Sequence, residues 1–253
     1  MEKAKQFLIF SAVSVLSIFV QEAAGAIQIT LDNGISPIAT VTDCTIAPCL
    51  GPDIDPRPGI ISISQLTPII DPITGYQISG TLRRGGGGAL VDAGVNRILN
   101  FTNVDISRVQ ATPNNQLKIN FIENLQQPVF SLTAADGIQG TYFAGVPFAA
   151  SNLEYQGFVN GIPIGPIFKE NFGPLMPGAT PFKQNPPHVI PTGFFVNQLR
   201  GELTLNLTNL GDRVVLPNSA EVGISVPEPT STLSLLALGT LGAASTLKRK
   251  QKQ

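Results

Sequence analysis

One histidine, two cysteines and two closely spaced aspartates are the groups in this 253-residue chain whose types and spacing could carry chemistry. His188 lies in Asn185-Pro186-Pro187-His188, and no G-x-S-x-G elbow occurs for which it could act as the base of a hydrolase. It reads as a polar residue of a proline-rich loop. Asp53 and Asp55 are weak calcium candidates, since carboxylate oxygens suit that hard cation. Pro56, Arg57 and Pro58 follow them, however, which breaks the D-x-D-x-D-G pattern, and aspartates flanked by proline commonly shape turns. Paired carboxylates are also the set that glycoside hydrolysis uses, but their separation cannot be read from sequence. Cys44 and Cys49 supply two thiolates where structural zinc takes four ligands, so an exported chain would favour a local disulfide, with free thiols as the alternative. Residues 85–88 are four glycines, but no Lys-Ser or Lys-Thr follows as in a phosphate loop. A hairpin loop is the expectation there, with Arg83 and Arg84 as an exposed polar face. No metal, cofactor or catalytic set is expected, and the chain reads as non-enzymatic.

The segments at the two ends are more specific. Lys3 and Lys5 precede an uncharged run over residues 7–20, and Ala24-Gly25-Ala26 fits a small-x-small cleavage site. Residues 1–26 therefore read as a signal peptide with its helix, cut by signal peptidase after Ala26. At the other end, residues 230–247 carry no charge, and as a helix they would reach roughly 27 Å at about 1.5 Å per residue, near the thickness of a bilayer core. Lys248, Arg249, Lys250 and Lys252 follow as a basic stop, which the positive-inside rule keeps cytoplasmic. Everything before Pro227 then lies across the membrane.

Between those ends stands Val226-Pro227-Glu228-Pro229. Pro227, Glu228 and Pro229, followed by a spanning stretch and a basic end, resemble the PEP-CTERM sorting signal of bacterial exported proteins. The resemblance covers residues 226–253. It implies processing near the motif by an exosortase-like transpeptidase, a transient inner-membrane anchor, and delivery to the cell envelope or extracellular matrix. A structural or interaction role associated with exopolysaccharide or biofilm is the function it implies. A carbohydrate-binding module is one alternative and an extracellular carboxylate hydrolase a second. Leu216-Pro217-Asn218-Ser219-Ala220 loosely resembles a sortase LPXTG signal, but it sits in strand-like sequence and reads as a turn between the last two strands.

The body, residues 27–226, is long enough for one domain with a sizeable core. Its ten Lys or Arg against fourteen Asp or Glu leave it acidic, without the basic patch that nucleic acid requires. Short runs rich in β-branched and aromatic residues, over 28–31, 60–66, 77–82, 98–106, 117–122, 153–159, 214–216 and 222–226, lie between Gly and Pro breakers. Over 199–207, Leu199, Leu203, Leu205 and Leu207 alternate with polar residues, as a half-buried strand requires. No helical period persists. The expected fold is mainly β, an antiparallel sandwich or jelly roll. Eight prolines within residues 161–191 predict a long surface loop there. Tyr76, Tyr142 and Tyr155 are the only tyrosines and tryptophan is absent, so sugar-stacking platforms are scarce; Phe194 and Phe195 read as core or strand.

Overall fold

The structure, a computed structural model, describes residues 26–34, 37–43, 52–85, 90, 94–146, 149–173 and 178–227. The signal segment, the cysteine pair and the tail beyond Pro227 lie outside these residues. Among them there is no helix. Thirteen strands run in order as β1 (Ala26–Asp32), β2 (Pro37–Thr42), β3 (Ile60–Ile63), β4 (Ile69–Asp71), β5 (Tyr76–Arg84), β6 (Arg97–Arg108) and β7 (Gln116–Phe143). They continue as β8 (Ser151–Val159), β9 (Ile162–Pro163), β10 (Phe168–Phe172), β11 (Ala179–Lys183), β12 (His188–Asn206) and β13 (Arg213–Ser225). Each described pairing is antiparallel.

The long partners β7 and β12 organise the rest. The first part of β7, Gln116 to Asn124, pairs with β1 on one side and with Gln198 to Asn206 of β12 on the other, and β8 and β10 extend that half. The later part pairs with the start of β12 or with β11, and on its other side with β13, beyond which lie β6, β5 and β3. Between the two parts the register jumps, so that Val129 pairs with Val196 and Asn124 with Gln198. Residues 125–128 form this bulged corner, and extra residues in one strand bend it.

The two halves share one core. Ile27, Ile29 and Leu31 of β1, Leu117, Ile119 and Phe121 of β7, and Leu199, Leu203 and Leu205 of β12 are all buried, as alternation along half-buried strands requires. Phe121 lies 5.7 Å from Phe101 of β6 and stacks at 6.4 Å on Tyr155 of β8, and the Tyr155 hydroxyl donates to the Glu221 carbonyl of β13 at 2.6 Å. Room for the Phe121 ring comes from Gly201, directly opposite it, and Gly201 is paired in turn with Gly157. A Cβ on Gly201 would stand 2.0 Å from that ring.

Two expectations need correction. The proline-rich segment is not a long loop: it contains β9, β10, β11 and the start of β12, with Pro181 paired to Thr141 and Pro191 to Thr133. Among the described strands β11 and the first half of β12 have β7 as their one partner, so the N–H that proline lacks is missing from an edge rather than from a ladder bonded on both sides. Likewise, Pro217-Asn218-Ser219 is no turn between strands. It is a bulge within the continuous β13, marked by the register jump between Leu216 and Ala220 and by the positive φ of Ser219 (144°).

On the outer face of β6, β7 and β13, Leu90, Val95, Ile98 and Ala135 form a small second cluster. Glu221 is fully buried beside it, accepting the Leu90 N–H at 3.0 Å and the Asn100 amide at 3.3 Å. Burial pushes its carboxyl above the ordinary 4.5. Native Glu221 therefore holds a proton more tightly than it does unfolded, and its contribution is lost as pH rises from 4.5 through the raised native value. Urea midpoints measured across that window are expected to fall less steeply for Glu221→Gln than for the natural chain, and equal slopes would remove Glu221 as the cause. Gly201→Ala is expected to cost about 1–3 kcal/mol in the same assay, because the Phe121 ring has no room to yield.

Candidate functional site

Both ends of the body emerge from one end of the molecule. β1 begins at Ala26 opposite Asn124, and β13 ends at Ser225 opposite Thr133, so the two flank the corner of β7. A buried ion cluster joins these levels. Glu123, the partner of Ile27, meets Arg84 at 2.6 Å and Arg97 at 3.1 Å, and Arg97 is itself the partner of Ile224. The Glu123 side chain is wholly buried, where breaking a pair would strand a charge at several kcal/mol. Arg84 is thus part of this cluster, and the expectation of an exposed arginine pair fails for it.

The exit itself is clamped. The Val226 N–H donates to Asn96 Oδ1 at 2.8 Å, and the Asn96 amide donates back to the Val226 carbonyl at 2.7 Å. The Asn96 N–H adds a bond to the Ile224 carbonyl at 3.3 Å. Asn96 precedes β6, which already flanks β13, so the clamp extends the ladder by one residue past the strand. Pro227, next along, is half-buried and donates no N–H. Regular pairing stops there. Of the residues expected to be processed, Ala26 is the exposed first residue of β1, while Ala24, Glu228, Pro229, Lys248, Arg249, Lys250 and Lys252 fall outside the described residues.

The remaining candidates are spread through the molecule. Asp53 is buried and its Oδ1 accepts the N–H groups of Asp55 at 3.1 Å and Ser62 at 2.8 Å. Asp55 is held by the Arg57 guanidinium, with contacts of 2.9 and 2.6 Å, which keeps its carboxyl below the ordinary range. Both thus act as turn-shaping groups, and among the described residues no three potential ligands gather for a metal. His188 opens β12 opposite Asp136, with Nδ1 3.2 Å from Asp136 Oδ1. Asp136 is buried and also accepts the Gly157 N–H at 2.6 Å and the Gln184 amide at 3.0 Å; burial raises its carboxyl, and these donors and His188 oppose that rise. Reading His188 as a loop residue missed this pair, because its partner is 52 positions away and only the register of β7 and β12 joins them.

At the opposite end, Asp212 is the most heavily satisfied carboxylate among the described residues. It accepts from the Tyr142 hydroxyl at 2.8 Å, the Gly145 N–H at 2.7 Å, the Ser151 hydroxyl at 2.6 Å and the Asn209 N–H at 3.0 Å. Burial raises the Tyr142 hydroxyl to about 12. Such a fully bonded group anchors loops and has no lone pair to spare for a substrate. A shallow cavity lies on β7 and β11, lined by Gly140, Thr141, Phe182, Lys183 and Pro217.

Comparison with curated proteins found no match. Solved structures give distant likenesses. One is the Arthrobacter globiformis T6 isomalto-dextranase complexed with panose, at 14% identity over 62% of this chain and 24% of that one, TM-score 0.27. A second is the enzymatically active domain of bacteriophage CBA120 tailspike protein 4, at 9% identity over 60% and 19%, TM-score 0.28. A third is TmCBM61 in complex with beta-1,4-galactotriose, at 7% identity over 59% and 88%, TM-score 0.25. The chain spans a quarter or less of the first two, and at these scores none carries an argument. The informative match is to the segment that leaves the clamped exit: over residues 225–250 the chain carries a PEP-CTERM protein-sorting motif, the signal of an exported, cell-surface-directed protein.

Proposed function

We propose that the body is a non-catalytic β-sandwich displayed at the cell surface or in the extracellular matrix, where it serves a structural or interaction role associated with exopolysaccharide. Signal peptidase would release its front after Ala26, residues 230–247 would anchor it in the inner membrane for a time, and an exosortase-like transpeptidase would cut near Pro227-Glu228-Pro229. The observation that carries this reading is the junction. The fold is hydrogen-bonded through Val226, and the sorting motif takes over at residues 225–250, so cargo and address are joined without a linker. The non-catalytic reading draws support from the buried carboxylates, which are occupied by turn N–H groups, arginines or structural hydroxyls. A carbohydrate-binding module would need aromatic platforms with a polar handle, and Tyr76, Tyr142 and Tyr155 are all buried in the core, leaving phenylalanines such as Phe130 and Phe195 as the exposed rings among the described residues.

The test is the mass of the protein in each fraction of its native host. The natural chain is expected in the extracellular or surface fraction with its C-terminus between Val226 and Pro229. A variant with Pro227, Glu228 and Pro229 all replaced by Ala is expected in the membrane fraction, still ending at Gln253. Release of that variant with the same C-terminus as the natural chain would overturn the sorting role assigned to the motif.

A further inference from the structure

The end from which the chain exits also bears a group of exposed apolar side chains. Past Ser225 and its partner Thr133, β7 continues through Leu132, Ser131 and Phe130, with Phe195 of β12 opposite Phe130. At about 3.3 Å per residue, Phe130 stands roughly 10 Å beyond the level at which β13 stops. Leu132 is 51% exposed and Phe195 63%, and the Phe130 and Phe195 rings meet edge to face at 5.5 Å. Ile162, whose partner Val159 lies level with Leu199 and Glu123, adds a fourth exposed apolar side chain at 50%. The ribbon carries no charge: residues 124–135 and 189–199 include no Asp, Glu, Lys or Arg.

Exposed aromatic and aliphatic groups on an uncharged ribbon are costly in water and suit the interface of a bilayer, where aromatic rings settle between headgroups and chains. The sequence places such an interface next to them. Only Pro227, Glu228 and Pro229 separate the clamped Val226 from the uncharged stretch that begins at Thr230, and three residues span at most about 10 Å. We propose that the ribbon formed by Phe130, Leu132 and Phe195 rests in the interfacial layer of the membrane while the tail is uncut, so that the body is held by two contacts with its exit end facing the bilayer. This rests on the reading that residues 230–247 enter the membrane. The partner is a lipid surface of no required charge, because the ribbon offers nothing to pair with an ionic headgroup. Cutting the tail then leaves the ribbon as the sole membrane contact, and a few partly inserted side chains give reversible binding.

The chain contains no tryptophan, so single tryptophans report position without background. In the full chain reconstituted into phosphatidylcholine vesicles doped with brominated lipid, Phe195→Trp and Leu132→Trp are each expected to show emission quenched at least about twofold more than Leu66→Trp. Leu66, 93% exposed, lies between β3 and β4 beside the middle of β5, well away from the exit end, and serves as the reference. A fourth variant, Leu241→Trp, reports on the tail. Strong quenching at 241 with positions 132 and 195 no more quenched than 66 would overturn the ribbon contact and leave the anchor standing. No quenching at 241 would overturn the anchor, and the ribbon contact with it. Two probe sites in the ribbon keep the measurement decisive if one substitution perturbs the fold.

Discussion

The hydrogen-bonding capacity of β7 is the constraint on which the rest of this structure depends. A strand has two edges, and the 28 residues of β7 commit them to four partners, β1, β12, β13 and β11. No neighbour is long enough to satisfy either edge alone, so the chain supplies partners in sections. The corner at residues 125–128 is where the sections change. By bending there, one strand serves two halves of a sheet that bury their apolar faces against each other, and Phe121 with its facing glycines fixes how closely they approach.

Charge is distributed to suit that construction. Carboxylates inside the fold sit where backbone or side-chain donors converge, and each does a separate mechanical task. Glu123 ties the two halves at the exit end, Asp212 gathers loops at the far end, and Asp136 bonds the Gly157 N–H of β8 to β7. Glu221 holds the segment around Leu90 onto the outer face. Burial costs each of them solvation, and the hydrogen bonds repay part of it. The raised carboxyls of Asp136 and Glu221 are what incomplete repayment looks like.

Much of this was legible in the sequence, for physical reasons that separate the successes from the failures. Alternation over 199–207 identified a half-buried strand because side-chain direction has a period of two, and those leucines do line the core. The strands at 28–31, 117–122 and 153–159 were readable in the same way. Proline misled over 161–191, since its penalty depends on whether the strand is bonded on one side or both, and that is a property of the assembled sheet. The bulge at Pro217-Asn218-Ser219 reads as a turn in sequence because both use the same residue types. The clusters of Glu123 with Arg84 and Arg97, and of Asp136 with His188, were invisible, because their members meet only through register. The sorting motif was the reverse case: it is linear, so three residues and their flanks sufficed.

The position of β13 governs when the protein can fold at all. It is the last strand among the described residues, yet it lies in the interior of the sheet between β7 and β6, pairing with residues of β6 roughly a hundred positions earlier. Until it arrives, β7 and β6 each expose a bare edge, and the core lacks Val214, Leu216, Val222 and Ile224. The sorting motif begins at residue 225, where β13 ends, so the strand that completes the sheet directly precedes the address. Folding therefore cannot finish until nearly the whole body has emerged, so that arrival of this strand sets when the core closes.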